Sequence, residues 1–314
     1  MTGLLAPTYT VDPWDPGYGV ARGDELDGRE STARLDVGLE VPAERWQPIT
    51  PAPGPLPGSV LFLDGVQRID ARIWHHGDGP EPVPGIAASV AAGLVRCDGA
   101  AQIVDWKVDR GFFAEQGEDI KTRHATYAFH RTLGGLDKLT FGVTHRMSEL
   151  EVELAARWRE QSGAEDDLLV VDGPLRGRTH LARTVGYVKT HQKSYLQREQ
   201  AVVIGALGPG QRSPVFGMGT SWERRSWYLR LPGATRAPWA AVVRLECSAD
   251  LAVEEAVALA DVTALVLPAL ASVPHKDPRA PQNLVPIGGL ERQLKHRLGD
   301  AGLLYRSLRG AFAA

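Results

Sequence analysis

The sequence predicts an α/β protein, a mixed sheet flanked by helices and preceded by an extended, proline-rich N-terminal arm. Three observations carry that reading. Two apolar runs each close on Asp-Gly, at Asp64-Gly65 and Asp172-Gly173. Around them, stretches with a period of two alternate with stretches of helical period. The first 58 residues have neither period.

The arm comes first. It opens with Asp12, Pro13, Trp14, Asp15 and Pro16 and closes with Pro48, Pro51, Pro53, Pro55 and Pro57. Proline at this density fixes φ and removes amide donors, which excludes a regular helix or a central strand. Trp14, Tyr18 and Trp46 call for burial, so residues 1–58 read as an arm packed across a domain or a dimer partner. Residues 59–314 read as the core domain.

Val60 to Asp64 is an uninterrupted apolar strand ending at Asp64-Gly65. Ile69, Ala71 and Ile73 alternate with Arg68, Asp70 and Arg72 and predict a second, half-exposed strand. Residues 86–97 and 101–108 supply two more, with Asp98-Gly99 as the turn. A helix is expected over about 145–160. Asp167 to Asp172 is the second apolar strand, followed by a strand at 185–190 and a helix at about 193–207. Strands near 214–218, 226–231 and 239–246 come next, then helices at about 251–266 and 287–298. An acid-bearing strand, antiparallel strands, a helix and another acid-bearing strand is the ribonuclease-H-like order. Both aspartates are placed at the C-terminal edges of their strands, where open α/β sheets set their sites.

Composition sets outer limits. Hydrophobic residues make up 43% and charged residues 23% of 314, ample for a large core. Cys97 and Cys247 lie far apart with no CxxC or Cys/His spacing, which argues against a zinc module or a disulfide scaffold. The N-terminus shows no secretory pattern. The apolar stretch from Ala256 to Val273 is broken by Asp261, Thr263 and Pro268, so it reads as a buried helix and the protein is expected to be cytoplasmic. Net charge is only −3, yet the first 55 residues are strongly acidic and the remainder is slightly basic. From Gly173 to Arg198 there is no acid, while Arg176, Arg178, Arg183, Lys189 and Lys193 all occur. Such a run suits phosphates, and it also suits an ordinary solvated face.

The helix over 145–160 holds a telling position. Met147, Leu150, Leu154 and Trp158 form one stripe at 100° per residue, and Glu149, Glu153, Arg157 and Glu160 fall opposite. Glu151 lies within the apolar stripe. A buried carboxylate without partners is costly, and it persists when it binds a cation or a strong donor. Asp64, Glu151 and Asp172 are therefore the candidate metal ligands. Hard divalent ions such as Mn²⁺ and Mg²⁺ prefer oxygen donors, and two such ions can drive phosphodiester hydrolysis. Rival chemistries lack their signatures. The segment from Gly208 to Ser213 has no P-loop lysine, there is no GxSxG elbow, and His75-His76 has no HExxH spacing.

These residues resemble the NurA nuclease family. The resemblance rests on Leu63-Asp64-Gly65, on Val171-Asp172-Gly173-Pro174-Leu175 and on Val185-Gly186-Tyr187-Val188-Lys189, together with a proline and a helix near the C-terminus. It spans roughly residues 59–300. It implies a ribonuclease-H-like fold, a homodimer, and Mn²⁺-dependent single-strand endonuclease and 5′-to-3′ exonuclease activity on DNA. It also implies partnership with a hexameric HerA ATPase in end processing or anti-phage defence. Asp64, Asp172 and a helix glutamate would be metal ligands, and Lys189 would contact the scissile phosphate. One departure stands out: where the family has a histidine after a proline, counting from Pro286 reaches Glu291. Glu291 is expected to face the metal site as a fourth acid, with His296 as its rival and a helix-dipole role as the plainer alternative. Two other functions stay open, a catalytically weak DNA-binding scaffold on the same fold and a ribonuclease-H-like enzyme cutting RNA or branched DNA.

Overall fold

The computed structural model describes residues 33–75, 82–162, 166–190, 195–233 and 239–312. The chain divides into two compact units. The first takes residues up to Val60 and Asp166–Gly288, and the second takes Leu61–Glu165 and Gly289–Ala314. Each is α/β, with mixed sheet and helices.

The strands of the first unit are β1 (Arg34–Asp36), β7 (Asp167–Asp172), β8 (Thr184–Val188), β9 (Phe216–Gly219), β10 (Glu223–Arg230) and β11 (Val242–Ser248). They lie in the order β1-β9-β10-β11-β8-β7. Among the described residues of this unit only β7 and β8 run parallel, with Asp172 level with Tyr187. Leu168, Leu169, Val170 and Val171 of β7 are all fully buried, as expected of a parallel strand covered on both faces. Helices α2 (Arg198–Ala206) and α3 (Val253–Val266) belong here. Trp227 of β10 is buried and donates its indole N–H to Thr263 Oγ1 of α3 at 3.1 Å.

The described part of the arm is built into this unit. Strand β1 pairs antiparallel with β9, and Trp46 packs with Phe216, Met218, Tyr228 and Val242. Its indole N–H donates to Val37 O at 2.7 Å. Burial of Trp46 was the expectation, and it is met on the chain's own core. Trp14 and Tyr18 lie outside the described residues. A buried guanidinium completes the attachment: Arg212 donates to both Glu40 oxygens, at 2.9 and 3.0 Å, and to Asp261 Oδ1 at 2.6 Å.

The second unit holds most of β2 (Ser59–His75), then β3 (Val83–Cys97), β4 (Ala101–Ala114), β5 (Ile120–Lys121) and β6 (Thr126–Arg131), in the order β2-β3-β4-β6-β5. β4 and β6 are parallel and β3 and β4 antiparallel. Its helix α1 (Leu136–Ser162) packs on β3 and β4. Small residues on β3 allow close cover. A Cβ at Gly93 would come within 3.0 and 3.1 Å of Leu294 and Leu290 of α4 (Val285–Arg297). The chain ends in α5 (Ala301–Ala311), whose N-cap Asp300 accepts from Leu303 N.

Two sequence expectations need correcting. The strands expected at 60–64 and 69–73 are one strand of 17 residues, so Asp64 stands within β2 and not at its end. The Asp-Gly pair is no turn here, because Gly65 lets α1 come against the strand. On the later half, Ile69 is exposed and Asp70 is buried, the reverse of the expected alternation. Asp70 accepts from Arg68 Nε at 2.7 Å and from Tyr127 Oη at 3.0 Å, and it also bonds Ser89 Oγ. Burial pushes the Tyr127 phenol well above its ordinary range, and the charge and hydrogen bond of Asp70 push it further. Among the described residues no helix is long and apolar enough to cross a membrane.

Candidate metal centre

In the second unit, Asp64 of β2 and Glu291 of α4 each offer a carboxylate oxygen, and these lie within 4.8 Å of one another. Asp64 is buried and the Glu291 side chain is only 12% exposed. Gly65 N donates to Asp64 Oδ1 at 2.8 Å and so fixes that carboxylate along the strand. Glu291 has Lys295 one turn on, at 3.8 Å, but Lys295 is largely exposed and such a pair is weak. Two carboxylates at this separation repel by roughly 3 kcal/mol at an effective dielectric near 20. A divalent cation reverses the sign of that interaction. Two hard oxygen donors, held by a strand and a helix, fit Mn²⁺ or Mg²⁺.

The end of α4 is held as well. Arg68 Nη1 of β2 donates to Gly299 O at 2.8 Å, and Arg110 Nη2 of β4 donates to Leu298 O at 3.1 Å. Cationic donors at a helix C-terminus complement its dipole, and Arg68 ties Glu291's helix to the strand that carries Asp64. His296, the rival of Glu291, is exposed.

Glu151 obeys the expected helix phase. It is buried with Leu150 and Leu154, while Glu149 and Glu153 face solvent. Glu153 is bonded by Lys107 at 2.7 Å, which, with Arg146, holds its carboxyl below the usual range. Glu151 approaches the strand behind Gly65, where a Cβ would lie 2.6 Å from its Oε1 and 2.8 Å from Met147 Cγ. Successive positions on a strand face opposite sides, so Glu151 meets β2 on the side of Gly65. Among the described residues it is not part of a group of acids whose oxygens gather within 4.8 Å of one another.

In the first unit, Asp172 does end its strand. Lys189, just beyond β8, donates to Asp172 Oδ2 at 2.6 Å and to Asn283 Oδ1 at 2.7 Å. Asn283 in turn donates from Nδ2 to Asp277 Oδ2 at 2.6 Å, which fixes which end of its amide faces the lysine. Burial acts to raise the Asp277 pKa, but hydrogen bonds from Arg279 and Asn283 outweigh it and hold the carboxyl below 3.8. Tyr187, level with Asp172, is pushed well above its ordinary 10 by burial and then by the Asp172 charge. It remains a phenol and donates to Gln282 O at 2.6 Å. Asn283 and Asp277 escaped the sequence reading because nothing local pairs either with Lys189.

The loop after Asp172 has its own support. Gly173 has φ +99°, which favours glycine. Leu175 N donates to Glu246 Oε1 at 2.7 Å, and that fully buried carboxylate is neutralised by Arg244 at 2.8 Å and Arg224 at 3.1 Å. A Cβ at Gly186 would lie 2.8 Å from Leu175 N, so this glycine lets the loop close onto β8. Of the other basic candidates, Arg176 is exposed. Arg178 is buried, with its guanidinium turned to the carbonyls of Pro174 and Arg176 at 3.5 and 3.3 Å. Arg183 bonds Asp167 O at 2.8 Å. Arg178 thus holds its own loop. Lys193 lies outside the described residues.

No protein-family model matches the chain, and no curated protein matches it.

Proposed function

We propose that the protein is a metal-dependent deoxyribonuclease of ribonuclease-H-like type, acting on DNA as a single-strand endonuclease and 5′-to-3′ exonuclease. The observation that carries this reading is the Asp64–Glu291 carboxylate pair, two hard donors held close together by β2 and α4. Mn²⁺ or Mg²⁺ bound there would activate water and stabilise the leaving oxygen of a phosphodiester. Asp64 and Glu291 bind the cation, and the family resemblance carries a metal-ligand role over to Asp172. Lys189 orients Asp172 through its 2.6 Å contact and supplies a positive charge for a phosphate. Glu151 acts from the α1 side of Gly65, where it orients the strand that carries Asp64. In the net reaction, water oxygen bonds to phosphorus, one P–O ester bond breaks, and the departing oxygen takes up a proton.

The same resemblance supports a homodimer working with a HerA-like hexameric ATPase in DNA end processing or phage defence. The test is labelled single- and double-stranded DNA and RNA, incubated with purified protein in Mn²⁺, Mg²⁺ or EDTA. Mn²⁺-dependent DNA cleavage, lost in Asp64→Asn and Glu291→Gln, is the expected result. Cleavage of RNA alone would move the substrate class. DNA binding without cleavage in any metal would replace the enzyme with a binding scaffold.

A further inference from the structure

A cleft of about 400 Å³ in the second unit is lined by none of the residues assigned above. Lys121, Thr122, Arg123 and His124 form one wall, and Leu303, Arg306, Ser307, Gly310 and Ala311 of α5 form the other. The two walls are fixed to each other by an apolar cluster in which Ile120 and Tyr127 meet Leu308 of α5. The turn at its mouth is rigid: Thr122 Oγ1 donates to Ala125 O at 2.8 Å and accepts from Ala125 N at 3.0 Å.

The lining holds three permanent cations and a histidine, and no carboxylate. The nearby Asp119 accepts from Phe129 N at 2.8 Å. Lys121, Arg123 and Arg306 make no ion pair among the described residues. Elsewhere in this unit Lys107, Arg146 and Arg157 are each matched to an acid. A concave site lined by cations concentrates positive potential, and its volume is within the usual range for ligand pockets. A phosphate would satisfy the guanidinium forks of Arg123 and Arg306.

We infer that this cleft binds the phosphate backbone of a nucleic-acid strand, a contact separate from the carboxylate site. The inference extends the nuclease reading, on which it rests, to how the substrate is held, and its test does not require cleavage. Binding of a labelled single-stranded oligonucleotide is followed by fluorescence anisotropy in EDTA across a salt series. Lys121→Ala/Arg306→Ala should weaken binding about tenfold and lower the slope of log K against log salt by ~1.4, or ~0.7 for each lost phosphate contact. The control Arg131→Ala/Lys138→Ala removes two exposed cations outside the cleft and should leave the slope unchanged. An unaltered slope in the cleft variant, or an equal drop in the control, would overturn the inference. If the wild type binds as expected but cleaves nothing in Mn²⁺, the cleft stands and the nuclease reading falls.

Discussion

Asp64 and Glu291 carry opposite consequences for stability and for activity. In metal-free protein the two carboxylates repel each other, so Asp64→Asn should raise Tm by a few degrees, equivalent to about 1 kcal/mol. Mn²⁺ should then raise the wild-type Tm through linkage and leave that of Asp64→Asn nearly unchanged. Differential scanning calorimetry with and without Mn²⁺ checks both halves, and a variant less stable than the wild type in EDTA would mark Asp64 as structural. Asp277 gives a pH signature. Its folded pKa lies below the ordinary 3.8, so its contribution is present above that value and is lost as pH falls through the lower folded pKa. Asp277→Asn should therefore flatten the dependence of Tm on pH below about 4, and an unchanged acid limb would separate Asp277 from the support of Asn283 and Lys189. At this scale Asp64, Asp172 and the burial of Glu151 were legible because each follows from local periodicity. The nearness of Glu291 to Asp64 was reachable only by counting from Pro286, and Asn283 was invisible because its partners Lys189 and Asp277 meet it only in the fold.

At the level of elements, β2 shows where periodicity misleads. Asp64-Gly65 carries a strong turn signature, yet the strand runs through it to His75, because glycine also serves where a helix must approach closely. Gly65→Ala puts a Cβ 2.6 Å from Glu151 Oε1 and 2.8 Å from Met147 Cγ. The expected cost is about 1–3 kcal/mol of overpacking, measured by urea denaturation. Gly65→Ala/Glu151→Ala should recover part of it, since truncation clears the nearest atom, whereas full additivity of the two losses would show that they do not meet. Helix α5 is absent from the sequence expectations although its signals are local: Gly299 at φ +81° stops α4, Asp300 caps the next helix, and Leu304 and Leu308 form its buried stripe. Strands β5 and β6 are absent for a better reason, since β6 is placed by a non-local parallel pairing with β4.

Across the molecule, the arm expected to be extended is, over its described residues, part of the first unit. Glu40 both pairs with Arg212 and accepts from Val215 N at 2.6 Å. Removing it leaves a guanidinium on a residue that is 1% exposed, with Asp261 as its remaining acid. Glu40→Ala should cost about 3 kcal/mol, read as a lower urea midpoint at constant m. Deleting residues 1–50 also removes Trp46 and should unfold the first unit. A soluble, cooperatively folding truncation would contradict this attachment.

The central claim is a cation held by Asp64 and Glu291, and anomalous diffraction from crystals soaked in Mn²⁺ tests it most directly. The account predicts a manganese peak about 2 Å from an oxygen of each carboxylate, absent in crystals of Asp64→Asn. A manganese-free site in protein that still cleaves DNA with Mn²⁺, or a peak bound by other residues, would contradict it.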